Sequence, residues 1–123
     1  MYSGYLCGMK TDELRLNNLL NFNSETISVA LICDDGAIGY RNGDTLTCLP
    51  SNSFKPIPIT EEWLLKAGFE KDETDWWYID DFGVKRYDND CFVFYTLNTI
   101  IKFLHQLQNL YFALTGEELT INQ

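Results

Sequence analysis

The stretch Pro56-Ile57-Pro58-Ile59-Thr60-Glu61-Glu62-Trp63-Leu64-Leu65-Lys66-Ala67-Gly68-Phe69 places one short, well-signalled helix between two β-rich halves. Its prolines keep residues 56–59 extended, because proline disfavours helix in the residue before it. Thr60 is placed to cap the orphan amides, and Glu61 and Glu62 fall in the first turn, where the helix dipole favours anions. Ile59 before the cap and Leu64 after it form a hydrophobic staple. Trp63, Leu64 and Ala67 supply the apolar face, and Gly68 is placed to end the helix.

Outward from this helix, both flanks read as β. On the N-terminal side Leu14, Leu16, Leu19-Leu20 and Phe22 predict a first strand with an irregularity at Asn17-Asn18, since Asn tolerates the left-handed backbone of a bulge. Residues 26–33 are β-branched and largely apolar, and Asp34-Asp35-Gly36 is a turn. Residues 37–41 and 44–49 flank Asn42-Gly43, a strong hairpin signal. On the C-terminal side residues 76–79 and 84–87 flank a turn containing Asp80, Asp81 and Gly83. Asp88-Asn89-Asp90 then turns the chain into residues 91–95, completing a meander. A last helix over about 103–115 carries Leu104, Leu107, Tyr111 and Leu114 on one face, with Gly116 as its stop.

The expected fold is therefore α+β: a small twisted antiparallel sheet or half-barrel, a short helix, a β-meander, and a C-terminal helix packed on the sheet. Residues 1–8 read as an extension. Residues 9–123 read as a single α+β domain, with a β-rich part over 9–55 and a helix-meander-helix part over 56–123.

The bulk composition supports a folded chain. Its 123 residues are 46% hydrophobic and 15% aromatic, too apolar for a disordered protein. Eighteen acids against nine Lys and Arg give a formal net charge of −9. Phosphate backbones and anionic membrane surfaces repel such a chain, so direct nucleic-acid binding is disfavoured and a basic protein surface is favoured. Cys7, Cys33, Cys48 and Cys91 form no C-x-x-C pair, which argues against zinc. Cys33 and Cys48 lie in apolar stretches and read as small buried thiols. Residues 1–9 show neither the basic nor the apolar segment of a secretory signal, and no apolar run reaches membrane-span length. These features predict a cytoplasmic chain with free thiols and no membrane association.

Catalytic patterns are weak. The single histidine, His105, lies inside the last helix with no nucleophile beside it in sequence, and a helix-face histidine is usually structural. The acid pairs Asp34-Asp35, Asp72-Glu73, Asp80-Asp81 and Asp88 with Asp90 fall in turns, where Asp bonds the local backbone. Asp88-Asn89-Asp90 lacks the glycine and the closing glutamate of a calcium loop. The expectation is no enzyme, no metal and no cofactor. A small hydrolase using one carboxylate pair is the least supported alternative.

One concentration of charge stands out. Eight of the eighteen acids fall within residues 70–90: Glu70, Asp72, Glu73, Asp75, Asp80, Asp81, Asp88 and Asp90, opposed only by Lys71, Lys85 and Arg86. Trp76, Trp77 and Tyr78 are interleaved, and adjacent strand residues point to opposite faces, so one Trp is free to face outward. The expected partner-binding residues are Asp72, Glu73, Asp75, Trp76, Trp77, Asp80, Asp81, Asp88 and Asp90, offered to a basic protein. The competing reading is a two-sided sheet with solvated acidic turns.

Residues 56–69 quoted above and the ending His105-Gln106-Leu107-Gln108-Asn109-Leu110-Tyr111-Phe112-Ala113-Leu114-Thr115-Gly116-Glu117-Glu118-Leu119 resemble a family of small uncharacterised proteins of Bacteroidetes genomes, prophages and other mobile elements. Those proteins typically open with a segment like Asp12-Glu13-Leu14-Arg15-Leu16-Asn17-Asn18-Leu19, with glycine usual where this chain has Asn17. The resemblance runs from Met9 onward and is thinnest over residues 70–101. It implies a phage or mobile-element accessory role, brings no catalytic residues, and leaves the middle segment as the place for a particular activity. By analogy of size, charge and setting, the expected function resembles that of an anti-CRISPR protein. Such a protein would inhibit a basic, nucleic-acid-handling host protein such as an RNA-guided nuclease. The alternatives are a direct nucleic-acid reader of small β-barrel type, or an accessory domain of unassigned role.

Overall fold

Left-handed turn residues, among them Asn23-Ser24, Gly43 and Asp80, set where several of the strands end. The structure, a computed structural model, describes residues 13–89, 91–94 and 99–123. The extension over 1–8, Cys7, Asp12, Asp90 and Tyr95 lie outside the described residues. The architecture is α+β, as expected: two antiparallel five-stranded sheets and a C-terminal helix. The chain divides between Ile57 and Pro58 into two compact units.

The first unit holds β1 (Leu19–Phe22), β2 (Glu25–Ile32), β3 (Ile38–Asn42), β4 (Thr45–Leu49), a single 3-10 turn (Ser51–Ser53) and β5 (Lys55–Pro56). These form an open sheet in the order β4-β3-β2-β1-β5. Leu20, Val29, Ile38, Tyr40 and Phe54 are buried on one face with Leu14, and Phe22, Ile27, Ile32 and Leu49 pack against them. Phe22, Tyr40 and Phe54 form a ring trio with centroids 5.4–5.9 Å apart.

Two local details differ from the sequence reading, and the β1–β2 turn adds one that it did not assign. The first strand begins only at Leu19. Asn17 sits at φ 76° and its amide donates to Val29 O, while the Val29 amide donates to Asn18 O. Buried Asn18 also accepts from the Arg15 amide through Oδ1 at 2.7 Å. The chain from Leu14 to Asn18 thus turns rather than extends, which leaves Leu14 in the core and Leu16 exposed. The β1–β2 turn is Asn23-Ser24, both at positive φ (48° and 69°), the pattern of a tight primed hairpin turn. In the β3–β4 hairpin Asn42 pairs with Thr45, so the central pair is Gly43-Asp44. Gly43, at φ 67°, takes the first central position.

The second unit starts with α1 (Glu61–Lys66), followed by β6 (Glu70–Lys71), β7 (Trp76–Ile79), β8 (Phe82–Asp88), β9 (Cys91–Phe94), β10 (Thr99–Ile101) and α2 (Leu104–Thr115). Thr60 Oγ1 accepts from the Trp63 amide at 3.3 Å, Leu64 is fully buried, and Gly68 leaves the helix at φ 88°. The meander order is β10-β9-β8-β7-β6. Gly83, expected in the β7–β8 turn, instead lies in β8 opposite Tyr78, and the turn is Asp80-Asp81 alone.

Two backbone ties fasten the ends of this unit. The Ile59 amide donates to Lys102 O, and the Asn122 amide to Lys66 O. α2 has no side-chain cap at Phe103. Gln106 Oε1 accepts from the Lys102 and Phe103 amides instead, which is the return half of a capping box. Leu104, His105, Leu107, Gln108 and Tyr111 are buried, and the Tyr111 ring meets Phe82 edge-on at 5.3 Å. Leu114, expected on that face, is 50% exposed. The apolar stripe ends one turn before the helix does. No helix among the described residues is long and apolar enough to cross a membrane.

Candidate protein-docking site

Of the acids in residues 70–89, several serve the backbone. Asp72 Oδ1 accepts from the Thr74 amide and hydroxyl, both at 2.7 Å, and from the Trp76 amide at 3.1 Å. The Thr74 hydroxyl bond is the main cause that holds the Asp72 carboxyl below its ordinary range. Burial opposes it, while the two amides and Lys85 add to it. Asp72 therefore closes the β6–β7 turn. Asp75 stands in that turn at φ 68° and pairs with Lys71 at 3.1 Å, an exposed ion pair of small energetic weight. Asp88 Oδ1 accepts from the Cys91 thiol at 3.2 Å. Burial, then this bond, pushes the Cys91 thiol up. Glu73, Asp80 and Asp81 are exposed, and Asp80 turns the β7–β8 hairpin at φ 50°.

The aromatic pair divides as strand alternation requires. Trp77 is 4% exposed and belongs to the core. Trp76 and Tyr78 lie on the opposite face, with centroids 6.2 Å apart and planes 27° apart. Tyr78 lies flat over Gly83, where a Cβ would come within 2.7 Å of the ring. Lys85, opposite Trp76, places its Nζ 5.5 Å from the Trp76 ring centre. Arg86 is occupied elsewhere, bonded to Glu61 at 2.8 Å and lying over Phe92.

Two concavities meet at Asp80. One, of about 490 Å³, is lined by Gly68, Glu70, Lys71, Asp72, Tyr78, Ile79 and Asp80. The other, of about 320 Å³, is lined by the apolar Ile79, Phe82, Phe94, Tyr111 and Leu114 together with Asp80, Asp81 and Thr115. Leu114 and Tyr111 come from α2 and were outside the predicted site. Their signal was present in the period of the last helix, but it was read there as core alone. His105 is fully buried and lines neither concavity.

The fold and this surface define an α+β chain with an acidic hairpin beside an apolar pocket. No protein-family model, curated protein or solved structure matches the chain.

Proposed function

We propose that this chain is a non-enzymatic binding protein that docks a basic, nucleic-acid-handling protein through the β7–β8 hairpin and the pocket beside it. The observation that carries this reading is the position of Asp80. It lines an acidic groove on one side and an apolar pocket on the other. A fitting partner segment presents an aliphatic or aromatic side chain to the pocket and Lys or Arg to Glu70, Asp80 and Asp81. The net charge of −9 and the resemblance to mobile-element proteins extend the proposal to an anti-CRISPR-like inhibitor that occupies a basic channel. The acids that close turns, Asp72 and Asp75, position this surface rather than contact the partner.

A second reading has one observation in its favour. Half-buried Trp76 and exposed Tyr78 stack on one face with Lys85 beside Trp76, which suits a stacked base. The chain's charge opposes that reading.

Affinity capture from a host lysate, with and without nuclease treatment and read by mass spectrometry, separates the two. The docking proposal predicts a stoichiometric basic protein that survives nuclease and is lost with the Asp80→Lys/Asp81→Lys double variant. Recovery of nucleic acid alone, or of proteins lost on nuclease treatment, would replace it with the stacking alternative.

A further inference from the structure

Among the described residues each sheet has two edge strands, and three of these four edges are short or guarded. β5 is two residues long and ends in Pro56, β6 is the charged pair Glu70-Lys71, and β10 has three residues. β4 differs. Its five residues, Thr45-Leu46-Thr47-Cys48-Leu49, include no charge and no proline, and its one sheet neighbour among the described residues is β3. Such an edge lacks the Lys, Pro or bulge that keeps another strand from adding to it. The outer face beside it is apolar. Cys48, expected to be a buried thiol, is exposed, and Cys33 is half-buried. Leu31 and Leu46 are 38% and 41% exposed. A Cβ on Gly39 would meet Leu31 Cβ at 3.0 Å, Cys48 Sγ at 3.1 Å and Leu46 Cδ1 at 3.5 Å, so these three side chains crowd the space that glycine leaves.

Hairpin geometry fixes which main-chain groups face outward. Asn42 pairs with Thr45 across a two-residue turn, and the turn bond joins those two residues. Antiparallel ladders alternate, so Thr45, Thr47 and Leu49 direct their N–H and C=O to β3, while Leu46 and Cys48 direct theirs to the open edge. Two copies of β4 running antiparallel satisfy those groups in one register. With Leu46 opposite Cys48 of the second copy, and the reverse, the two residues exchange four hydrogen bonds, and Thr47 meets Thr47 on the two-fold axis. Side chains opposite one another then share a sheet face, which keeps Leu46 and Cys48 of both copies on the outer side. Sliding to Cys48 opposite Cys48 sets Leu46 against Pro50, which has no N–H to donate. Sliding the other way sets Cys48 against Asp44 of the turn. In the favoured register Asp44 faces Pro50, so no like charges are opposed although each chain carries −9.

We propose that β4 is a self-association edge, pairing antiparallel with β4 of a second copy of this chain about an axis at Thr47. The edge belongs to the first unit and is separate from the docking surface, which lies in the second. Five residue pairs fall well short of a standard interface of about 1,600 Å², so the dimer is weak, with a dissociation constant of roughly 100 µM.

Sedimentation equilibrium of the reduced full chain over a range of concentrations tests the edge. The wild type should pass from monomer to dimer, and its association should strengthen several-fold between about 50 and 500 mM salt as the charge of the two copies is screened. Leu46→Pro removes an N–H that bonds nothing within the monomer, so circular dichroism should stay unchanged while the dissociation constant rises roughly tenfold or more. Leu46→Glu, which keeps that N–H but adds a charge to each copy, should weaken association in the same direction. Thr47→Cys in a Cys48→Ser chain should give, on mild oxidation, a covalent dimer whose bridge maps to residue 47 of both copies, because Cα atoms of such a pair stand about 4.5 Å apart. A wild type that stays monomeric at about 1 mM would overturn the proposal. So would a dimer that Leu46→Pro and Leu46→Glu leave intact, or a Thr47→Cys chain that forms no bridge. A monomeric wild type whose capture of a different protein is lost in Leu46→Pro would reassign the edge to a foreign strand.

Discussion

Asp72 holds a turn with its charge as well as its shape. Its carboxylate gathers two amides and a hydroxyl, so the protonated form gives up acceptor strength that the ionised form supplies. The folded state therefore depresses its titration, with the Thr74 hydroxyl as the main cause. For a depressed carboxyl the contribution to stability is complete above the unfolded value, near 3.9, and is lost as pH falls through the folded one. Urea midpoints of wild type and Asp72→Ala, compared at equal pH so that the other acids cancel, should differ clearly at neutral pH. The gap should narrow as pH falls below the unfolded value and through the depressed folded one. A gap that stayed constant over that fall would mean that the side chain acts through shape alone.

At the scale of elements, α1 shows what a short helix needs. Six residues cannot hold a helix by propensity, so the cap, the buried Leu64 and the Gly68 exit carry it. Thr60→Ala should cost about 1 kcal/mol in a denaturant titration, and Thr60→Ser should cost a few tenths at most. An unchanged midpoint in Thr60→Ala would leave the Trp63 amide bond without energetic weight. The same element explains why so much of the fold was readable: the determinants of α1 are local, within ten residues of one another. The meander was legible for a similar reason, as its turns carry Asp and its strands are rich in aromatic and β-branched residues. What escaped the reading depends on distant partners. Asn17 and Asn18 break the first strand through bonds to Val29, and the choice of Gly43-Asp44 over Asn42-Gly43 rests on the register of a whole hairpin. Trp76 and Trp77 were seen to face opposite ways, but which one faces the core is decided by packing. The pocket beside Asp80 needs α2 against β8 and has no signal within a single segment.

At the scale of the whole molecule, the same charge acts with opposite sign on folding and on docking. A formal net charge of −9 repels itself in the compact state, and the ion pairs Lys71–Asp75 and Arg86–Glu61 offset two of the carboxylates. Salt screens that repulsion, so the free chain should melt a few degrees higher at about 500 mM than at about 50 mM salt. An interface between an acidic hairpin and a basic partner is screened too, and there the charges attract. Over the same range the affinity for the captured partner should fall roughly tenfold or more, chiefly through slower association. Leu114→Ala, which trims the apolar pocket but leaves every charge, should instead speed dissociation and leave the salt dependence unchanged. Calorimetric melting of the free chain together with surface-plasmon kinetics on the complex measures both arms. If affinity held constant with salt while the melting point rose, the acidic hairpin would serve solubility alone, and any docking would rest on the pocket formed by Phe82, Phe94, Tyr111 and Leu114.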